Sequence, residues 1–458
     1  MQEHWDVIVV GARCAGATLA TKLSKQGLRV LVLEASGRGT NMPMSTHLIQ
    51  PPGMDALDRL GVGARVRAVT PAAARMRYAL DDSAVVVSYA AGRAAYCVRR
   101  STLDPWLQDC AQEAGAELRF RHRVVSLLKQ DERVVGVVAR TPDGNVELRA
   151  DLVVGADGAR STIAELTGAP EYLRAEWTRA GYFGYWPAPA QWTADWDAML
   201  EHQGTDLRYV FRCDGDQVLM VCITDRNDAT TWGAAHRERL EAKLRESPQT
   251  SALLGHGPHV GPLTGLLKAS FFYRQPVGPG YALVGDAGHF KDFITGMGMT
   301  DAFLDAERLA DAIVDGRPAA MQHYWRERDV ATLPLHFDAL RQGAVGFNEP
   351  FIRWIIGRMA HRPEQAARVT AMFDRKIDPA DLVPLHTAVT ALIAGLVRGR
   401  FELLPGFLAT GRANARDARE LKQRKALLAE ARAELARSGP APTRTPSATP
   451  ALALNLQP

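Results

Sequence analysis

The chain has 458 residues, 47% of them hydrophobic and 23% charged, with a net charge of +4. That length is too great for one simple core and predicts two domains, and that composition fits a soluble globular enzyme. So small a charge excess argues against a nucleic-acid partner. No uninterrupted apolar stretch reaches the ~18 residues a transmembrane helix requires, so no transmembrane helix is expected; no membrane partner is expected either.

The first element is the apolar run 7–10, read as a buried parallel strand, ending in Gly11-Ala12-Arg13-Cys14-Ala15-Gly16. Ala17, Leu19, Ala20 and Leu23 then follow helical spacing. A glycine turn between strand and helix leaves N–H groups at a helix N-terminus, where a pyrophosphate can bind. The second strand, 29–33, ends in Glu34, 23 residues after Gly11 and suitably placed to accept a ribose hydroxyl. A carboxylate there disfavours a 2′-phosphate, so the nucleotide is FAD or NAD rather than NADP. Arg13 stands where the dinucleotide fingerprint has its second glycine, so its side chain must swing away or itself meet a phosphate. The apolar run is preceded by Glu3 and Asp6 and broken by Gly11 and Arg13, which does not fit a signal peptide. Five cysteines (Cys14, Cys97, Cys110, Cys213, Cys222) show neither a Cys-x-x-Cys pair nor zinc spacing. They read as reduced structural thiols of a cytoplasmic protein, with no metal site. Cys14 differs in opening a helix beside the phosphate position.

A Gly-rich polar loop spans 35–44, and a helix is expected over 54–60. Segment 75–98 alternates as a hairpin around Asp81-Asp82, which predicts a second domain interleaved with the first. A helix follows over 99–114, then strands at 117–128, 133–140 and 146–149. Another apolar strand runs into Gly155-Ala156-Asp157-Gly158. Segment 175–275 is β-rich and aromatic, with Trp192 and Trp196 in a loop, and reads as a mixed sheet lining a pocket. A strand at 281–284 leads into Gly285-Asp286-Ala287-Gly288-His289. Gly296-Met297-Gly298-Met299-Thr300 then opens a helix over 301–314. Helices are expected from 318 to about 435, the stretch 415–436 charged and exposed or partner-facing. Segment 388–409, apolar but interrupted by Arg398, Arg400 and Pro405, reads as core or interface. The Pro-, Ala- and Thr-rich tail from Ser438 reads as disordered.

The expected fold is therefore α/β. A Rossmann-like dinucleotide-binding domain (1–75, 99–174 and 276–330) is interleaved with a mixed β-sheet substrate domain (76–98 and 175–275). C-terminal helices (331–437), through which the chain could form oligomers, and the tail (438–458) complete it.

Gly11–Gly16 with Glu34, Gly155-Ala156-Asp157-Gly158, and Gly285-Asp286 with Gly296-x-Gly298 occur in that order. As a set they resemble the FAD-dependent monooxygenases of the para-hydroxybenzoate hydroxylase type, and the halogenases and geranylgeranyl reductases of the same fold, over roughly 5–330. The resemblance implies FAD held by Gly11, Arg13, Cys14, Ala15, Gly16, Glu34 and Ala35. Val124 would meet the adenine, Asp286 the ribityl chain, and Gly296, Met297, Gly298 and Met299 the flavin pyrimidine. Helix N–H groups at that point stabilise negative charge on the reduced ring. Thr46 and Arg100 would face the cofactor, and Asp157 would organise a loop. Phe293 and Thr300 stand where the family often has Pro and Asn, so oxygen activation is expected to differ in detail. The Trp-x-Trp-x-Ile-Pro motif of halogenases is absent; the nearest stretch is Tyr182-Phe183-Gly184-Tyr185-Trp186-Pro187.

The implied reaction is NAD(P)H-dependent hydroxylation of an aromatic or polyketide-like small molecule by O₂, through a flavin C4a-hydroperoxide. NAD(P)H is a co-substrate without a second Rossmann fingerprint of its own. His47 and His289 are the candidate catalytic side chains. Two alternatives stay open: a flavin-dependent reductase or dehydrogenase acting on a C=C bond, and a non-enzymatic partner in a biosynthetic complex.

Overall fold

A computed structural model describes residues 3–39, 45–346, 349–439 and 441. Part of the expected loop at 35–44 and nearly all of the tail expected to be disordered lie outside the described residues.

Two large sheets organise the chain. In the eight-stranded sheet, His4–Val10 lies between Gly144–Gly155 and Val30–Glu34, parallel to both, with Glu117–Phe120 and Tyr281–Leu283 on the flanks. Near-continuous apolar sequence suits strands covered on both faces. Val7 and Val9 pack toward helices Cys14–Lys25 and Gly298–Asp315, while Ile8 and Val10 pack on the opposite side with Val137 and Ile163. The registers Val10↔Leu33, Val10↔Gly155 and Gly155↔Leu283 align the carboxyl ends of four strands along one edge. The Gly11 turn, Glu34, Ala156-Asp157 and Gly285-Asp286 all leave the sheet there, where ligands of open α/β sheets bind.

The nine-stranded sheet runs Val260–Leu266, Arg179–Pro187, Gln217–Asp225, Asp206–Cys213, Ala198–Gln203, Arg75–Leu80, Ser83–Ser88. Leu48–Ile49 and Tyr96–Cys97 attach beside Asp206–Cys213. A three-stranded sheet of Glu171–Glu176, Ser270–Arg274 and His289–Phe290 joins residues from either side of it in sequence. The chain is thus α/β, with a Rossmann-like sheet, a mixed sheet and C-terminal helices.

Several boundaries differ from expectation. The helix expected at 54 starts at Pro51, because Pro51 and Pro52 occupy the first turn, where the missing N–H costs nothing. Strands read as separate at 146–149 and 151–155 form one strand, Gly144–Gly155. Segment 175–275 also contains helices His236–Arg245 and Pro248–Leu254. The last helix is longer than its charged stretch, Leu403–Arg437. One flank of it packs on Pro318–Gly343, where Arg341 pairs with Asp417 and Arg424 approaches Asp329 at 3.5 Å. Segment 388–409 is core only in part: Ala391, Leu392, Gly395, Leu403 and Gly406 are buried, whereas Ile393, Val397 and Phe401 are exposed. Among the described residues, no helix is long and apolar enough to cross a membrane.

Candidate active site

A cleft of about 910 Å³ opens at the carboxyl edge of the parallel sheet and extends toward the mixed sheet. At its base lies the first glycine turn. Gly11 has φ +107°, and a Cβ there would fall 2.4 Å from the Ala156 carbonyl oxygen. A Cβ on Gly16 would fall 1.8 Å from the Gly11 oxygen, so these two glycines bring helix and strand into contact. Arg13 has extended backbone (φ −106°, ψ −160°), which any residue adopts, so its position requires no glycine. Its side chain lines the cleft and has no hydrogen-bond or ion-pair partner among the described residues. Helix Cys14–Lys25 starts without a side-chain cap, leaving its first N–H groups available to an anion.

Glu34 anchors the turn. Its Oε2 accepts from Ala12 N at 3.0 Å and its Oε1 from Ser36 N at 2.9 Å, and a carboxylate retains lone pairs for a further donor. Helix Arg100–Glu113 supports the turn from behind, where Gln108 Nε2 donates to Ala12 O at 3.1 Å; within that helix Arg100 Nε donates to Asp104 Oδ1 at 2.7 Å. Cys14 lies 3.9 Å from the same Asp104 oxygen. Burial pushes the Cys14 thiol up to about 12, so it remains a thiol. Asp157 accepts from Ser161 Oγ at 2.6 Å and Thr162 N at 2.7 Å, fixing the loop after Gly155. Asp104 and Gln108 were not singled out in the sequence, although Arg100, Asp104 and Gln108 recur at four-residue steps on one helix face.

The far wall is built by Asp286, Lys291, Asp292 and the start of helix Gly298–Asp315. Burial pushes the Asp286 carboxyl up to about 6, against the pull of Lys291 and Arg100. Burial brings the Lys291 ammonium down to about 7, although its Nζ lies 2.5 Å from Asp301 Oδ2. Burial also raises Asp292 to about 7; its carboxylate accepts from Ile294 N at 3.2 Å. A Cβ on Gly298 would meet nothing within 4 Å, so the uncapped helix start faces open cleft. Lys291 and Asp292 are functional candidates that the motif reading passed over. The signal was present as a charged pair between Phe290 and Phe293.

Of the residues named from sequence, Gly11, Arg13, Cys14, Ala15, Glu34, Ala35, Thr46, Arg100, Val124, Asp157, Asp286, Gly296, Gly298 and Met299 line this cleft. Four do not. Gly16 lies beneath the turn, and Met297 is buried at the helix cap. His47, with φ 55°, points its Nε2 at the Tyr185 hydroxyl, behind the cleft wall. Burial lowers its pKa to about 3, with Arg100 adding to the effect, so it is a neutral imidazole. His289 is also buried: its Nε2 faces Asp305 Oδ2 at 2.5 Å and its Nδ1 faces Lys291 Nζ at 2.9 Å. Nδ1 therefore accepts from the ammonium while Nε2–H donates to the carboxylate, making His289 a strut behind Lys291.

Toward the mixed sheet the cleft becomes apolar, lined by Leu48, Phe183, Leu266, Phe290 and Phe293. Phe293 is wedged between Trp177 and Phe183, with centroids 5.0 and 5.6 Å away. Arg174, Glu176, Arg226 and Lys268 also line this end.

Comparison with known proteins assigns the chain to a family. The model of the family described as "FAD binding domain" matches residues 4–331, which is 328 of 458, and the chain belongs to that family. FAD is therefore the cofactor of this chain. The protein FixC of Salmonella typhi is 31% identical over 191 residues, covering 39% of this chain and 42% of FixC. The match thus spans less than half the length of that relative. Para-nitrophenol 4-monooxygenase of Pseudomonas sp. strain WBC-3 is 26% identical over 343 residues, covering 67% of this chain and 77% of that protein. A solved structure of aklavinone-11 hydroxylase with FAD and aklavinone shares the fold, with TM-score 0.62 and 22% identity over 74% of this chain and 69% of that one.

Proposed function

We propose that the chain is an NAD(P)H-dependent FAD monooxygenase that hydroxylates an aromatic or polyketide-like small molecule with O₂. One observation carries this reading: a single cleft runs from the glycine turn, Glu34 and the start of helix Gly298–Asp315 to the apolar wall of Phe183, Phe290 and Phe293. A long dinucleotide and a flat apolar substrate can therefore meet inside one cavity. When bound, FAD would supply the redox chemistry: electron uptake from the nicotinamide and activation of dioxygen, one oxygen atom going to the substrate and the other to water.

The residues divide the remaining work. Arg13 and the first N–H groups of helix Cys14–Lys25 hold the pyrophosphate, Glu34 the adenosine ribose, and Val124 the adenine edge. Asp286 accepts from the ribityl hydroxyls. The N–H groups from Gly298 onward would meet the flavin pyrimidine, where the positive helix end would favour negative charge on the ring. Thr46, Ala35 and Arg100 border the cofactor, and Asp157 keeps its loop in place. Phe183, Phe290 and Phe293 exclude water and set the plane of the substrate. The Asp292 carboxylate takes the proton of a phenolic substrate, and Lys291, held by His289 and Asp301, supplies a nearby positive charge. His47 acts indirectly, pinning Tyr185.

The test is anaerobic reduction of the purified flavoprotein by NADPH and then NADH, with and without phenols. The expected result is flavin bleaching that speeds up when an aromatic ligand is present. Admission of O₂ should then give a product heavier by one oxygen atom derived from O₂. Bound FAD that neither nicotinamide bleaches would overturn the reading in favour of a reductase or dehydrogenase served by another electron donor.

A further inference from the structure

Exposed apolar surface is concentrated at one place far along the chain. Among the described residues, twelve large hydrophobic side chains are exposed, and seven of them lie within 385–408: Leu385, Val389, Ile393, Val397, Phe401, Leu404 and Leu408. The first four recur at four-residue steps and so form one stripe along and just beyond helix Leu385–Leu396. Leu404 and Leu408 continue it on the next helix. The opposite side of the hairpin is packed: a Cβ on Gly395 would fall 2.2 Å from Leu403 Cδ1, and Trp354 Nε1 donates to Ala391 O at 2.8 Å. A firmly seated hairpin therefore presents Val397 (81% exposed) and Phe401 (71% exposed) at its tip. Patches of this kind mark interaction sites.

Charge along the hairpin is one-sided. Residues 385–412 contain Arg398, Arg400 and Arg412 against a single carboxylate, Glu402. Glu402 is already engaged by Arg400 at 3.0 Å. Arg398 donates to the Ala394 carbonyl at 2.7 Å, and among the described residues it has no acidic partner. Asp378 and Asp381 precede the start of helix Leu385–Leu396, at the end away from the tip.

We propose that this helical hairpin seats the protein on an anionic lipid surface. Val397 and Phe401 enter the boundary between headgroups and acyl chains, and Arg398 and Arg412, the cations left once Arg400 pairs with Glu402, meet the lipid phosphates. A second copy of the chain fits less well, because a two-fold contact would set the same arginines against each other with no free carboxylate between them. The contact is peripheral, since no described helix spans a bilayer. It departs from the sequence expectation of no membrane partner, because helical periodicity alone does not reveal that the stripe lacks a covering element among the described residues.

The experiment is co-sedimentation of the FAD-loaded full chain with vesicles of phosphatidylcholine, with and without phosphatidylglycerol. The protein should pellet with the phosphatidylglycerol vesicles, less so at high salt. The V397D/F401D variant should lose about tenfold or more of that partitioning, with unchanged circular dichroism and flavin content. R398Q/R412Q should lose the preference for anionic lipid while keeping some affinity for both vesicle types. Wild-type protein that stays in the supernatant with both vesicles overturns the proposal. So does a V397D/F401D variant that pellets like wild type. A dimer in gel filtration that V397D/F401D converts to monomer, without vesicle binding, assigns the face to self-association instead.

Discussion

Asp286 carries the most direct test of how the cleft holds its cofactor. It lines the cleft between Lys291 and Arg100, at the end of the strand Tyr281–Leu283. If it accepts from the ribityl hydroxyls, Asp286→Ala should weaken FAD binding by about 1.5–3 kcal/mol. Titration of the apoprotein with FAD, followed by flavin fluorescence, measures this; unchanged affinity would remove Asp286 from the cofactor site. Asp286 was legible in the sequence because it belongs to a local motif, a carboxylate in a glycine turn after a strand. Lys291 and Asp292, five and six residues later, were not. Their significance depends on partners from other elements: Asp301 and Asp305 on helix Gly298–Asp315, and Arg179 on a strand of the mixed sheet. The histidines show the converse. Their chemistry drew attention to them, but burial and the partners Tyr185 and Asp305 place both behind the cleft wall.

At the scale of elements, two glycines make opposite predictions. Gly16 lets helix Cys14–Lys25 touch the turn, so Gly16→Ala forces backbone apart and should cost about 1–3 kcal/mol of stability even without FAD. Gly298 opens its helix against empty cleft, so Gly298→Ala should leave apoprotein stability unchanged or raise it by up to about 1 kcal/mol. If the flavin lies against that helix start, the added methyl should nevertheless weaken FAD binding. Thermal melts of the apoproteins together with FAD titrations separate the two cases. A Gly298→Ala protein that binds FAD like wild type would move the ring elsewhere. Elements built from local pattern, such as the first strand, the glycine turn and the hairpin around Asp81, could be read from sequence. The fusion of two short strands into Gly144–Gly155 could not, because it depends on pairing with His4–Val10 and Arg133–Thr141. Nor could the exposure of the 385–408 stripe, because sequence does not show which apolar faces find a neighbour.

The whole molecule buries titratable groups of both kinds, and their linkage to folding has opposite signs. Burial lowers His47, His202 and His336 to about 3, so the folded chain binds fewer protons than the unfolded chain between about pH 6.5 and 3. Their contribution to stability falls as the pH falls through that window, by up to about 1.4 kcal/mol per pH unit for each group. Burial raises Asp286 to about 6 and Asp292 to about 7, so here the folded chain binds more protons from near pH 4 upward. Their contribution rises as the pH falls from 7 toward 4, opposing the histidines. Single substitutions should therefore tilt the stability profile in opposite directions. Asp292→Asn keeps a cap for Ile294 N and removes a buried charge, so it should raise Tm relative to wild type at pH 8, with the gain shrinking by pH 5. His336→Gln, on the helix Pro318–Gly343, should lose less Tm than wild type between pH 7 and pH 5. Melting curves of the three proteins across pH 5–8 decide the matter. Parallel profiles would mean that neither group changes its protonation on unfolding, and Asp292 would then lose its place as the proton acceptor of the cleft.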